Sequence, residues 1–464
     1  MGIIRTGAFI GRVVSLVVLG SVALGLVGAA WALVRFWRLA AIGSAYKAKV
    51  LCTAIFGAGH DLDPRRAPEV SSDSYWILRF FRAHIDRDRR SVAVSLAGLR
   101  SRLAVYRDGL GSTLVENTQG STASPARPRL VAIDHSHRWP VAATPSPLGK
   151  AVELAFTEPN PKRLRRTRAV VVAQHGHLIA ERYAPGFDRD SPFAGWSLSK
   201  SVMSALMGIV IGEGRMSLQD AALWPAWRLP DPRASISIED LLRMRSGLQF
   251  SEEYSDLSSD VIEMLFGTPD VVSYAVNRPL TAPPGTVWSY ASGTTNILSG
   301  ILRRTVGEER YHAWPRHRLF DPMGMESAVM EVDAAGNFVS SSFMLATARD
   351  WARFGQLFLQ DGIWVGRQIL PVGWARFCVT PTLQSPAGKY GAHWWLKLQP
   401  DIGGATPAAA RIPPDAFFAV GHEGQTLTVI PSRGLVVVRL GLSIYIDAWN
   451  HAQFIAEIVD AVPV

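Results

Sequence analysis

The sequence predicts an α+β fold: an antiparallel sheet flanked by helices, a mainly helical lobe, and a transmembrane helix at the N-terminus. Three observations predict it. Strand-like hairpins stand at both ends of a long, mainly helical stretch, so one sheet closed by chain-distant strands is expected. A charge-free run of 22 residues lies near the start of the chain. The composition, 48% hydrophobic and 19% charged with 15 Trp in 464 residues, excludes disordered, collagen-like and coiled-coil chains.

The charge-free run, Val13 to Val34, is bracketed by Arg12 and Arg35. As a helix it spans roughly 33 Å against a hydrocarbon core of about 30 Å. Residues 1–40 are therefore read as a membrane anchor. A secretory signal is the alternative, because two arginines precede the run and Ala30-Trp31-Ala32 is a small-x-small cleavage site, although signal cores usually hold only about 7 to 15 residues. The expected location is the bacterial inner membrane with the catalytic body in the periplasm. Orientation stays open, since Arg5 and Arg12 face Arg35, Arg38, Lys47 and Lys49 across the span.

Residues 41–145 read as a small mixed α/β extension. They hold an apolar patch from Tyr75 to Phe81, alternating segments at Ser91 to Leu96 and Arg102 to Tyr106, and a loop rich in Ser, Thr, Pro and Gly from Gly120 to Pro128. The main domain is placed at 146–464. It opens with a helix over Leu148 to Phe156, followed by a hairpin of Ala169 to Ala173 and Leu178 to Tyr183 about a His175-Gly176 turn. A second hairpin, Thr426 to Ile430 and Leu435 to Leu442 about Pro431-Ser-Arg-Gly434, precedes a helix over Ala448 to Val459.

The formal net charge of +9 raises nucleic acid as a partner. Only seven of the 48 cations are lysine, no nucleic-acid motif is present, and the dense run Lys162 to Arg168 reads as a solvated linker. No nucleic-acid partner is expected. Two cysteines allow at most one bridge and no cysteine-based zinc site. The pairs Asp134-His135-Ser-His137 and His175-Gly-His177 do not extend into a fuller ligand set, so no metal and no organic cofactor are expected.

Ser-x-x-Lys occurs twice, at Ser44 to Lys47 and Ser197 to Lys200. Ser44 lies close to the membrane segment, whereas Ser197 opens an apolar run, Val202 to Ile211, that reads as a buried helix stopped by Gly212-Glu213-Gly214. One helical turn puts Lys200 on the same face as Ser197, beside the free N–H groups of the helix start. A simple N-cap would explain Ser197 alone, but a cation in the first turn opposes the helix dipole. Lys200 is also the only lysine between Lys162 and Lys389 in an arginine-rich chain. Lysine can be neutral near pH 7 when burial lowers its pKa from about 10.4, whereas guanidinium stays charged. A second cluster, Pro283-Pro284-Gly285 through Tyr290-Ala-Ser292 to Gly300, can set a phenol and a small polar group opposite that helix. A third, Gly421-His422-Glu423-Gly424-Gln425, lets backbone approach a ligand and offers the next amide as an oxyanion donor. Gly195-Trp-Ser197-Leu-Ser199 lacks the last glycine of a nucleophile elbow.

In this order, Ser197-Leu-Ser-Lys200, Tyr290-Ala-Ser292 and His422-Glu-Gly424 resemble the motifs of the serine β-lactamase and penicillin-binding-protein superfamily. Leu241 to Leu248, Ser251-Glu-Glu-Tyr254, Thr347 to Gly355 and His393-Trp-Trp395 are similar to the branch containing 6-aminohexanoate-dimer hydrolases and related esterases, over roughly residues 145–464. The resemblance implies a β-lactamase/transpeptidase-like fold and a covalent acyl-enzyme. Ser197 would attack, Lys200 would take its proton, the oxyanion would sit between the N–H groups of Ser197 and Gln425, and Tyr290 would relay the proton. Tyr290 would need its pKa drawn down by Lys200 and His422. Ser292, Gly424, Tyr254, Trp394 and Trp395 are the substrate-binding candidates. Ser292 in place of Asn, His422 in place of Lys, and the lack of an assignable deacylating glutamate favour small or short-peptide esters and amides over β-lactams. The alternative is a membrane-tethered D,D-peptidase or a non-turnover peptide sensor.

Overall fold

The computed structural model describes residues 3–60, 62–115, 139 and 146–463, with side chains from residue 19. The Gly120 to Pro128 loop and the Asp134 to His137 pair lie outside the described residues. The first element is a 50-residue helix, α1 (Ile3–Cys52). Its apolar shaft is bare, with Leu24 75% and Val27 67% exposed. Beyond Leu39 the same helix turns buried, and it runs unbroken across residue 40. A single-turn helix, α2 (Pro68–Ser71), and a 3-10 segment over Tyr75 and its neighbours follow.

Four antiparallel strands then form a meander, β1 (Phe81–Asp86), β2 (Ser91–Leu96), β3 (Leu99–Arg107) and β4 (Gly111–Val115). The alternating residues of β2 and β3 bury one face: Val92, Val94 and Ala104 pack on Ala48 and Leu51 from the end of α1 and on Ile55 just beyond it. The extension thus uses the end of the apolar helix as its core. A buried ion pair ties it to the main body, because Lys49 Nζ meets Glu331 Oε2 at 2.5 Å while Glu331 Oε1 accepts from Ser112 N at 2.7 Å.

The main body opens with α3 (Ser146–Ala155), β5 (Thr167–Gln174) and β6 (His177–Tyr183). After β7 (Pro192–Ala194) come the helices α4 (Leu198–Gly212), α5 (Ile238–Leu242), α6 (Asp260–Phe266), α7 (Val271–Val276), α8 (Ser292–Val306) and α9 (Glu308–Tyr311). Short strands β8 (Val329–Met330) and β9 (Met344–Thr347) join β7 in a three-stranded sheet. Then follow α10 (Ala348–Leu359), a small hairpin of β10 (Ile363–Trp364) and β11 (Arg367–Gln368), and α11 (Trp374–Val379). The chain returns as β12 (Phe417–Gly421), β13 (Gln425–Ile430), β14 (Leu435–Gly441) and α12 (His451–Ala461).

The central sheet has the order β12-β13-β14-β5-β6, antiparallel throughout. The chain-distant closure expected from the two hairpins is the β14–β5 pairing, with Val436 opposite Ala173 and Val438 opposite Val171. Nearly every residue of β5, β13 and β14 is buried, because both faces are covered. Val170, Val172 and Val437 meet α3 and α12 on one face; Val171, Ala173, Val436 and Val438 meet α10 and the helical lobe on the other. The period-2 alternation of strand side chains divides the two cores.

Candidate active site

Trp196 adopts φ +50° immediately before the helix, a conformation unfavourable for a bulky side chain. It turns the chain sharply from the strand β7 into α4. Gly195 N bonds Met344 O of β9, and a Cβ on Gly195 would fall 2.3 Å from the Trp351 ring, so only glycine fits that corner. Ser197 is thereby presented at the N-cap, half-buried, and its side chain makes no cap hydrogen bond. The hydroxyl is free of the structural duty that an N-cap serine ordinarily performs.

Lys200, one turn on, is 1% exposed. Its Nζ lies 2.9 Å from each of Ser197 Oγ, Ser292 Oγ and Ser341 O. Burial pushes the ammonium down to about 8, and Glu252 pulls the other way. Ser292, the first residue of α8, donates from Oγ to Glu252 Oε1 at 2.5 Å and from its N to Glu252 Oε2 at 2.8 Å. The Glu252 carboxylate therefore caps α8, where the helix dipole favours negative charge. Burial nonetheless pushes its pKa up, against the pull of Lys200.

The directions of these bonds follow from the partners. With Glu252 ionised, the Ser292 proton is spent on the carboxylate, so Ser292 Oγ accepts from Lys200; Ser341 O is a carbonyl and only accepts. A neutral amine has two protons and one lone pair. Both protons are then used, and the lone pair faces Ser197 Oγ.

Tyr290 stacks on Trp395 with ring centroids 5.3 Å apart and stands edge-on to Tyr390. Lys200 Nζ is 5.0 Å from its ring centroid. The expectation of a lowered Tyr290 pKa is corrected. Burial first, and then the Glu252 carboxylate, push it up from the ordinary value, against a hydrogen bond with Ser197. The raised pKa keeps the phenol protonated at neutral pH.

His422 faces Trp196, Tyr254 and Tyr75. Its Nε2 is 3.0 Å from Tyr75 Oη of the extension, and its ring stacks on Tyr254 at 4.6 Å. Burial pushes its pKa down to about 4, so it is neutral at pH 7. Gly424 has φ +81°, and a Cβ there would meet Arg439 Nη1 at 2.6 Å. Gln425, the first residue of β13, bonds Gly441 with both side-chain ends, Nε2 to O at 2.8 Å and Oε1 from N at 2.9 Å. The end of β12 meets the start of α4, since a Cβ on Gly421 would fall 2.3 Å from Gly195 O. Trp395 lies beside Tyr290, but Trp394 as a pocket wall is corrected: it is fully buried, packed on Phe354, Phe358 and Phe417. Successive residues of an extended segment point to opposite sides, so one tryptophan reaches the site and its neighbour the core.

The other Ser-x-x-Lys does not form such a pair. Lys47 Nζ donates to the carbonyls of Leu78 and Phe81, and Ser44 Oγ is buried without a partner. Glu252 and Ser341 escaped the sequence reading, as did Tyr75. Glu252 stands in the quoted Ser251 to Tyr254 segment, but nothing in the sequence couples it to Ser292, 40 residues on. A cavity of about 720 Å³ borders the site, with walls that include Trp196, Glu252, Tyr254, His422 and Gly424.

Residues 156–441 match the sequence profile of the β-lactamase family. Over 301 residues the chain is 26% identical to the 6-aminohexanoate-dimer hydrolase of Paenarthrobacter ureafaciens, an overlap of 59% of this chain and 72% of that one. Among solved structures, a Bacillus anthracis protein assigned as a 6-aminohexanoate-dimer hydrolase superposes with a TM-score of 0.55 at 23% identity, covering 70% of this chain and 86% of its own. A penicillin-binding-protein homologue from Caulobacter crescentus gives 0.52 at 16% identity, covering 69% and 98%. At these identities the structural likenesses establish the β-lactamase/transpeptidase-like fold.

Proposed function

We infer the reaction from the family: the chain belongs to the β-lactamase family and is a serine hydrolase, and Ser197 is its nucleophile toward a small amide or ester. The observation that carries this reading is the set of three Lys200 contacts, of which only Ser197 can give a proton to the amine. With a pKa of about 8, about one Lys200 in ten is neutral at pH 7. Ser197 Oγ bonds to the acyl carbon as its proton passes to Lys200 Nζ. The tetrahedral oxyanion is held by the N–H groups of Ser197 and Gln425. Collapse breaks the bond to the leaving alcohol or amine, which takes a proton from the Lys200–Tyr290 pair. Water then attacks the acyl-enzyme and releases the acid. The 6-aminohexanoate-dimer hydrolase relative supports a linear amide or ester as substrate, and α1 serves as a membrane anchor for the catalytic body.

The test is intact mass of the protein and its Ser197→Ala variant after brief exposure to activated esters, short ω-amino-acid amides, D-Ala-D-Ala peptides and a β-lactam. A Ser197-dependent acyl adduct is expected, with turnover of an ester or ω-amino amide. An adduct that persists in Ser197→Ala overturns the assignment. An adduct formed only by D-Ala-D-Ala peptides, without turnover, makes the protein a peptide sensor.

A further inference from the structure

The cavity bounded by Trp196 and Glu252 has a wall that the hydrolase body does not supply. Leu39, Ile42 and Tyr46 line it from α1, spaced so that they share one helix face. Tyr75 closes the same side, held by its bond to His422 and by ring contact with Tyr46 at 5.2 Å. Leu257 and Ile444 face them from the body. The walls are mainly apolar, and the volume of about 720 Å³ falls within the roughly 300–1,000 Å³ of small-molecule sites. The cavity reaches Trp196, the residue before Ser197.

Its height relative to a membrane follows from helix arithmetic. The charge-free run ends at Val34, and Leu39 is about 8 Å further along α1 at 1.5 Å per residue. Polar headgroups occupy roughly 5–8 Å on each side of the hydrocarbon core. Trp31 lies under Arg35, 4.7 Å from the guanidinium, and Trp37 is set against Arg100 at 5.2 Å, a pairing of aromatic and cationic groups suited to that interface. The apolar cavity therefore begins at the outer edge of the headgroup layer, within reach of an amphiphile drawn up from the membrane surface.

We propose that the substrate is a membrane-associated amphiphile, an ester or amide of a long linear acyl chain, whose chain occupies the cavity between α1 and the hydrolase body while its carbonyl reaches Ser197. This rests on the reading of Ser197 as nucleophile. Hydrolysis forms the acid and releases the alcohol or amine, with water the only co-reactant. The extension is thus a substrate-binding wall as well as a spacer.

The experiment uses the full chain in phospholipid nanodiscs with p-nitrophenyl acetate, butyrate, octanoate and dodecanoate. In wild type, kcat/KM is expected to rise at least about ten-fold from acetate to dodecanoate, since each buried methylene adds binding energy. Leu39→Trp and, independently, Leu257→Trp fill the cavity from opposite walls, and each should cut the dodecanoate-to-acetate ratio at least about five-fold. A flat series, or a ratio that neither variant changes, overturns the proposal while leaving Ser197 hydrolysis intact. Should wild type turn over none of these esters, calorimetry on the Ser197→Ala protein decides the chain-binding proposal separately from the Ser197 reading, which the acyl-adduct experiment tests. A Kd at least about ten-fold lower for dodecanoate than for acetate supports it, and equal Kd values overturn it.

Discussion

Lys200 Nζ stands 2.9 Å from Ser197 Oγ, one helical turn away, and its two other partners, Ser292 Oγ and Ser341 O, are both acceptors toward it. This geometry supports proton transfer from Ser197 to Lys200, as the proposed mechanism requires. Ser197→Ala should lower hydrolysis by at least about 10³-fold, and Ser44→Ala should leave it at wild-type level. Lys200→Arg should fail almost as completely as Ser197→Ala, because guanidinium keeps its proton. Steady-state rates on an activated ester check all three.

On the proposed mechanism the neutral amine is the form that acylates, and burial brings the Lys200 pKa down to about 8. Acylation kcat/KM should therefore rise with pH from 6, bend near 8 and level off above it. Glu252 raises the Lys200 pKa, so Glu252→Gln should move this limb to lower pH. A limb that stays in place, or moves to higher pH, contradicts the coupling. The pH–rate profile is the measurement.

Ser292→Ala removes the hydroxyl between two buried groups, leaving Lys200 and Glu252 each short of one partner. The cost expected is about 1–3 kcal/mol, read as a lower Tm, together with a fall in kcat. Ser292→Thr keeps the hydroxyl and should recover part of both.

The extension is latched to the body by Lys49 and Glu331, which are almost completely buried. Glu331→Gln leaves the ammonium without its counter-charge, and breaking such a pair costs about 3–5 kcal/mol. Limited proteolysis should then cut the extension faster, and the Tyr75–His422 contact predicts a parallel rise in KM.

Gly421→Ala would force a Cβ to within 2.3 Å of Gly195 O. Both groups are backbone or backbone-attached, so the end of β12 and the start of α4 must separate. A loss of kcat of about 10²-fold is expected, with the circular dichroism of the helices retained.

Much of this protein is legible in its sequence because the information is local. The apolar runs and turns of the two hairpins, the 22-residue apolar run and the one-turn spacing of Ser197 and Lys200 each lie within a few tens of residues, and the β14–β5 closure follows from where the two hairpins stand. Tertiary structure alone decided the rest. It gave the two Ser-x-x-Lys patterns, which sequence context had already separated, different surroundings: Lys47 lies under backbone carbonyls and Lys200 beside the Ser197 and Ser292 hydroxyls. It sent Trp394 to the core and Trp395 to Tyr290, and it raised the Tyr290 pKa where proximity to a cation suggested the reverse. It also brought Glu252 to Ser292 and Tyr75 to His422, across 40 and 347 residues. Desolvation and long-range hydrogen bonding depend on what surrounds a group in space, and no spacing along the chain encodes them.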